Sequence, residues 1–216
     1  MDNQRKIEIL EKKLEAYDID VSLNQSNPEI KVNREQLIEV SHALKKNEAY
    51  EILIDVIAVD YLTYGNADWK TNDATHTGYS RAVKPTIIPD IDDTFEDRFA
   101  VFYQLLSVTD NQRLTLKVFA SESNPPTVPS LIDIWSSADW FEREAFDLMG
   151  IHFEGHPDLR RILTDYGFIG HPFRKDFPTN GNLEVVYDEK KGEVVYQPVS
   201  ISTRPGVPRV IRNQND

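Results

Sequence analysis

Apolar positions along this chain alternate between two periods, and the switches mark its elements. Ile7, Leu10 and Leu14 recur at three- and four-residue steps, which predicts a short amphipathic helix over residues 3–16. Residues 17–24 and 28–32 read as two strands joined by a turn at Asn27 and Pro28. Asn33 fits an N-cap, with Gln36 three positions on as its capping-box partner. The helix it opens runs to about residue 47 and buries Leu37, Val40, Ala43 and Leu44. Residues 50–61 are apolar and rich in β-branched side chains, the pattern of a central strand. Residues 97–108 and 113–120 form a hairpin turning at 109–112. After a proline-rich break at 124–129, a short helix is expected near 130–135 and a longer one over 138–149. From Gly150 to Pro178 glycine, proline and histidine displace any regular pattern. A late hairpin over 183–187 and 193–196 turns across 188–192, and the tail past Pro198 is extended, either loose or laid along a partner.

This order predicts an α+β fold in two layers: helices on one mixed or antiparallel sheet (α-β-β-α-β-β-β), with an extended C-terminal tail. The division expected is a core over residues 1–150, interrupted by a surface loop at 65–95, then 151–216 with the irregular segment, the late hairpin and a partner-wrapping tail. The 216 residues contain no run near the roughly 18 apolar residues a membrane helix needs. The N-terminus has no apolar stretch after a basic start, and its acidic residues are unlike a transit peptide. With no cysteine, the chain has no thiolate to hold an iron–sulfur cluster. A formal net charge of −12 disfavours nucleic acid and anionic lipid.

The chemistry-bearing residues crowd into 140–178. On a helix over 140–149, Phe141, Ala145, Leu148 and Met149 share one face, while Arg143, Glu144 and Asp147 share another with Trp140 at its margin. Glu142 is expected away from both clusters. Arg143 and Asp147 are spaced to pair, which suits a solvated charged face or, alternatively, a polar docking face with a buried ion-pair network. Glu142 and Glu144, two residues apart, point in different directions and make no shared acid–base site. His152, His156 and His171 lack the spacing of a metal site, and no H-E-x-x-H is present. Between 156 and 178 cations alternate with carboxylates, and Tyr166, Phe168 and Phe173 are interleaved with glycines. That mixture suits a protein interface or a rigid loop packed on its own domain. No nucleotide-binding glycine motif and no nucleophile elbow occurs.

The run Glu142-Arg143-Glu144, then Asp147-Leu148-Met149, His156, Arg160 and Ile162-Leu163, continuing through LTDYGFIGHPFRKDFP, resembles the signature of the 30-kDa subunit family of respiratory complex I, the NADH-quinone oxidoreductase of bacteria. The resemblance covers roughly residues 35–212. It implies a peripheral-arm structural subunit of a proton-translocating NADH:quinone oxidoreductase, not catalytic alone and without a cofactor or metal of its own. The parent complex uses FMN, iron–sulfur clusters, NADH and quinone. The implied partner is the 49-kDa-type quinone-site subunit, with other peripheral-arm subunits; membrane contact comes only through the complex. The implied place is the cytoplasmic side of the bacterial inner membrane, or the matrix side of the mitochondrial one. The signature and partner interface would comprise Glu142, Arg143, Glu144, Asp147, His156, Arg160, Arg161, Asp165, Tyr166, His171, Arg174, Lys175 and Asp176, with Arg143, Glu144 and Asp147 at least partly buried at or just under it. Two alternatives stand beside this: the homologous subunit of a membrane-bound hydrogenase-type complex, and a non-redox adaptor.

Overall fold

Alternating burial along residues 99–107 sets the plane of the sheet: Phe99, Val101, Tyr103 and Leu105 point inward, whereas Phe102, Gln104 and Leu106 turn to the half-buried face. The computed structural model describes residues 3–24, 27–62, 64, 69–70, 84–85 and 97–201. They belong to two compact units, one of Met1–Tyr61 and Thr94–Phe177, the other of Leu62–Asp93 and Pro178–Asp216.

In the first unit α1 (Asn3–Lys13) leads into β1 (Ile19–Asn24) and β2 (Asn27–Val32), then a 3-10 turn and α2 (Leu37–Asn47). β3 (Ile52–Asp60) follows. In the second unit, β4 (Trp69–Lys70) and β5 (Lys84–Pro85) are short antiparallel partners. Back in the first unit come β6 (Phe99–Ser107), β7 (Gln112–Phe119), β8 (Thr127–Pro129), α3 (Ala138–Met149) and β9 (His152–Glu154). The main sheet has the order β1-β2-β7-β6-β3. Its ladders are antiparallel except β2 with β7, so the sheet is mixed, one of the two arrangements the pattern left open. Leu10, Leu14, Leu37, Val40, Leu44 and Tyr103 are all within a few per cent of full burial in the core beneath it. The β6–β7 turn is closed by Asn111 at φ 49°, a left-handed conformation that asparagine tolerates.

Several expectations are corrected. β3 is an edge strand, not a central one; α3 lies against it, which accounts for its apolar character, while Ile52, Ile54 and Ile57 remain exposed. The capping box does not form, because Asn33 Nδ2 donates to Asp18 Oδ2 at 2.9 Å and Gln36 Oε1 accepts from the Asp18 N–H at 3.1 Å. Both side chains tie the helix entry to the start of β1 instead. Residues 130–135 make only a turn, closed by the Trp135 N–H on the Leu131 carbonyl. The nominally irregular stretches contribute β8 and β9, a short parallel pair.

In the second unit β10 (Leu183–Asp188) and β11 (Glu193–Pro198) form the expected late hairpin, with Gly192 at φ 67° in its turn. Its register places Leu183, Val185 and Tyr187 opposite Pro198, Tyr196 and Val194 on one face, all exposed. The opposite face carries Glu184 and Gln197, which bond to each other, then Val186 opposite Val195, then Asp188 opposite Glu193. The loop predicted at 65–95, apart from β4 and β5, and the tail past 201 lie outside the described residues.

Candidate docking site

Helix α3 is buried on two sides, and this organises the 140–178 segment. Ala138, Glu142 and Ala145 face the core, with Phe141 and Met149 partly buried against it. Glu142 is therefore not away from the apolar cluster: one turn after Ala138 and three residues before Ala145, it points inward with no exposed surface. Its carboxylate accepts from Ser130 Oγ at 2.5 Å and from the Leu131 N–H at 2.8 Å, and so caps the turn that precedes the helix. Burial raises its pKa from 4.5 to about 7 against the opposing pull of those bonds. The wholly buried Tyr103 hydroxyl has no hydrogen-bond partner among the described residues, and its pKa is raised by burial first and by Glu142 second.

On the other side of α3, Asp147 is fully buried and its carboxylate is saturated. Oδ2 accepts from the backbone N–H groups of Ile162, Leu163 and Thr164 at 3.0, 2.7 and 2.9 Å. Oδ1 accepts from Arg161 Nη1 at 2.9 Å and from Thr164 Oγ1 at 2.6 Å. Burial opposes ionisation of Asp147, but the Thr164 hydroxyl and the backbone donors outweigh it and hold the pKa below the usual carboxylate range. Arg161 Nη2 continues to the Gly170 carbonyl at 2.8 Å. His171 Nδ1 donates to the Asp147 carbonyl at 2.8 Å, and burial first, then nearby Arg161 and Arg174, lower its pKa. Gly150 ends α3 at φ 74°, where an added Cβ would lie 2.5 Å from the His171 ring. The expected Arg143–Asp147 pair is absent because Asp147 is occupied by the 161–164 loop. Arg143 instead lies over Trp140, 4.6 Å from the ring centroid. In the isolated chain Glu144 is exposed, on a strip of α3 that neither the core nor the following segment covers.

A second charged network fixes the end of the segment. Arg98 grips Asp60 through Nε at 3.0 Å and Nη2 at 2.9 Å, and Nη2 also reaches Asp176 at 2.9 Å. Arg174 donates to Asp176 at 3.2 and 3.0 Å, and the Lys175 N–H donates to Asp60 at 2.8 Å. Both guanidiniums lie over Phe99. Burial works against the Arg98 charge, but the bonds to Asp60 and Asp176 prevail and raise its pKa. Asp176 is lowered, its partial burial overcome by Arg174 and Arg98. Of the remaining residues expected here, His156 donates from Nε2 to the Asp139 carbonyl at 3.2 Å, Arg160 pairs at the surface with Asp158, and Asp165 and Tyr166 are exposed. Sequence reasoning missed Asp60, Arg98, Ser130 and Thr164. A charge ending each of two apolar strands was the available signal for Asp60 and Arg98. Ser130 and Thr164 carried none.

The result is a chain segment pinned from inside that presents Leu163, Tyr166, Ile169 and Phe173 outward, each at least 59% exposed, with Trp140 also 59% exposed. Among the described residues no group of three or more His, Cys, Asp or Glu could hold a metal ion, and no helix is long and apolar enough to cross a membrane. Fold and site together define an α+β domain in which Asp60, Arg98, Asp147 and Arg161 hold its own backbone and one another in place.

Comparison with known proteins then names the family. Residues 30–183 match the family described as respiratory-chain NADH dehydrogenase, 30 Kd subunit. A subunit of the NADH-quinone oxidoreductase of Hydrogenovibrio crunogenus is 53% identical over 181 residues, covering 83% of this chain and 81% of its own length. The corresponding NADH-quinone oxidoreductase subunit of Coxiella burnetii (strain Dugway 5J108-111) is 55% identical over 178 residues, covering 82% and 78%. The fold is also like that of a chain in an archaeal membrane-bound sulfane sulfur reductase, at TM-score 0.56 and 18% identity, over 81% of this chain and 86% of that one. This chain belongs to the 30-kDa subunit family of respiratory-chain NADH dehydrogenase.

Proposed function

We propose that the chain is a structural subunit of the peripheral arm of a proton-translocating NADH:quinone oxidoreductase, carries no cofactor, and docks its 140–176 segment against the 49-kDa-type quinone-site subunit. One observation carries the docking reading: Trp140, Leu163, Tyr166, Ile169 and Phe173 are exposed on a segment that Asp147 and Asp60 hold rigid from beneath. Exposed aromatic groups on a fixed backbone are what an interface anchor requires, since little ordering entropy is lost on binding. The identity to NADH-quinone oxidoreductase subunits favours this complex over a hydrogenase-type assembly, for which the sulfane reductase likeness supports the fold alone. In this reading the segment keeps the quinone-site subunit in register, where a displacement of about 1 Å in a catalytic constellation costs on the order of 10²-fold in rate. The site faces the cytoplasm from the inner membrane, held there through its partners.

The test is purification of the tagged chain from mildly solubilised native membranes, with an NADH:quinone assay on the eluate. Co-elution with a flavin- and iron–sulfur-containing complex that oxidises NADH is expected. Replacing Trp140 and Tyr166 together by alanine should release the chain from that complex. A free chain, with membrane NADH oxidation intact after deletion of its gene, would overturn the proposal.

A further inference from the structure

Among the described residues, Arg143 is the one arginine of the 140–176 segment without a carboxylate. Arg160 pairs with Asp158, Arg161 with Asp147 and Arg174 with Asp176, each at 2.9–3.0 Å. Yet Arg143 is only 6% exposed, whereas the side chains of those three are 70%, 22% and 23% exposed. Its sole hydrogen bond among the described residues runs from Nε to the Arg160 carbonyl at 3.5 Å, the outer limit of such a contact. Asp147, one turn along the helix, is fully committed to its five donors. A guanidinium does not shed its proton in a protein, so it cannot escape burial by turning neutral. It lies over the ring of Trp140, itself 59% exposed.

We propose that Arg143 is the open half of an ion pair across the docking surface, and that a carboxylate of the neighbouring protein completes it beside Trp140. The proposal rests on the docking reading above. Charge complementarity selects the occupant: a buried planar cation with its η nitrogens unbonded matches a carboxylate, which accepts two parallel N–H bonds. Trp140 alongside would exclude water from that pair, the arrangement found at energetic centres of interfaces. The η nitrogens are not among the fully buried unpartnered atoms of the described residues, so they reach the surface, where a partner's carboxylate can meet them.

The experiment compares Arg143→Gln and Arg143→Lys with wild type in the full chain, measuring its thermal midpoint and its affinity for the purified 49-kDa-type subunit across a salt series. For Arg143→Gln the midpoint should stay within roughly 2 °C of wild type or rise. Its affinity should fall about thirtyfold or more, with a shallower salt dependence. Arg143→Lys keeps the charge but not the fork and should fall between the two. Unchanged affinity in Arg143→Gln while the Trp140/Tyr166 double alanine variant loses binding would overturn the ion pair and leave the docking reading standing. Unchanged affinity in both would overturn both. A midpoint drop in Arg143→Gln that accounts for all the lost binding would make Arg143 a folding residue and refute the proposal.

Discussion

Replacing Glu142 by glutamine should change how the stability of this domain depends on pH, and the sign follows from burial. In the unfolded chain the carboxyl titrates near 4.5; in the folded domain it titrates at about 7, because desolvation outweighs the bonds from Ser130 and Leu131. Between these values the native state keeps a proton that the unfolded state has released. Stability contributed by this group is therefore complete below pH 4.5 and is lost as pH rises through 7. At about 1.4 kcal/mol for each pH unit, the loss across that window is about 3 kcal/mol. Glutamine occupies nearly the same volume, accepts from the Leu131 N–H through its oxygen and donates to Ser130 through its amide, but does not titrate. Other groups titrate in the same range: His171, whose pKa is lowered, contributes a slope of opposite sign below its ordinary 6.5. The quantity to measure is thus the difference between the two proteins, by urea unfolding at several pH values from 4.5 to 8. That difference should move in favour of glutamine by about 3 kcal/mol as pH rises. Parallel curves would show that Glu142 stays ionised in the folded state and would refute the argument.

Asp147→Asn should cost about 3–5 kcal/mol at pH 7, since it leaves Arg161 without its counter-charge and sets an amide donor against backbone N–H groups; hydrogen exchange at residues 162–164 should accelerate. Because the folded pKa of Asp147 is depressed, that advantage of wild type is present above pH 3.8 and should shrink as pH falls below it. Asp60→Asn should cost about 3 kcal/mol by removing the bidentate carboxylate of buried Arg98 and leaving only that of Asp176, and limited proteolysis should then cut near residue 175. Tyr103→Phe removes a buried hydroxyl with no partner among the described residues, so thermal melting should show it neutral or more stable by about 1 kcal/mol. Gly150→Ala places a Cβ against the His171 ring in a left-handed backbone, and a loss of more than about 1 kcal/mol is expected by chemical denaturation.

The regular part of this fold was written in its periodicity. The helices around Leu10 and over Leu37–Leu44 and the β6–β7 hairpin follow from one buried face per element, whereas the late hairpin follows from its β-branched runs and the turn between them, its apolar face being exposed. Position within the sheet was not legible: β3 is as apolar as a central strand because α3 covers it, and no local pattern distinguishes that from a neighbouring strand. The capping box failed for a related reason. Asn33 and Gln36 had the right spacing, but Asp18, far away in sequence, offered better geometry. At the site, helix geometry located the inward face of α3, yet the Arg143–Asp147 pair was misjudged. Spacing along a helix ranks only local partners, whereas Asp147 is claimed by residues 14 to 17 positions later. Asp60 and Arg98 meet across 38 residues, a separation that only the sheet brings together.

One face of the β10–β11 ribbon is made of Leu183, Val185, Tyr187, Val194, Tyr196 and Pro198, all exposed, and the other mixes Val186 and Val195 with Glu184, Gln197, Asp188 and Glu193. Two strands without a covered face are barely stable in water. Among the described residues that apolar strip is uncovered, the kind of surface that favours association. Any surface laid over that strip would bury its six apolar side chains together and steady a ribbon that two strands alone hold only weakly.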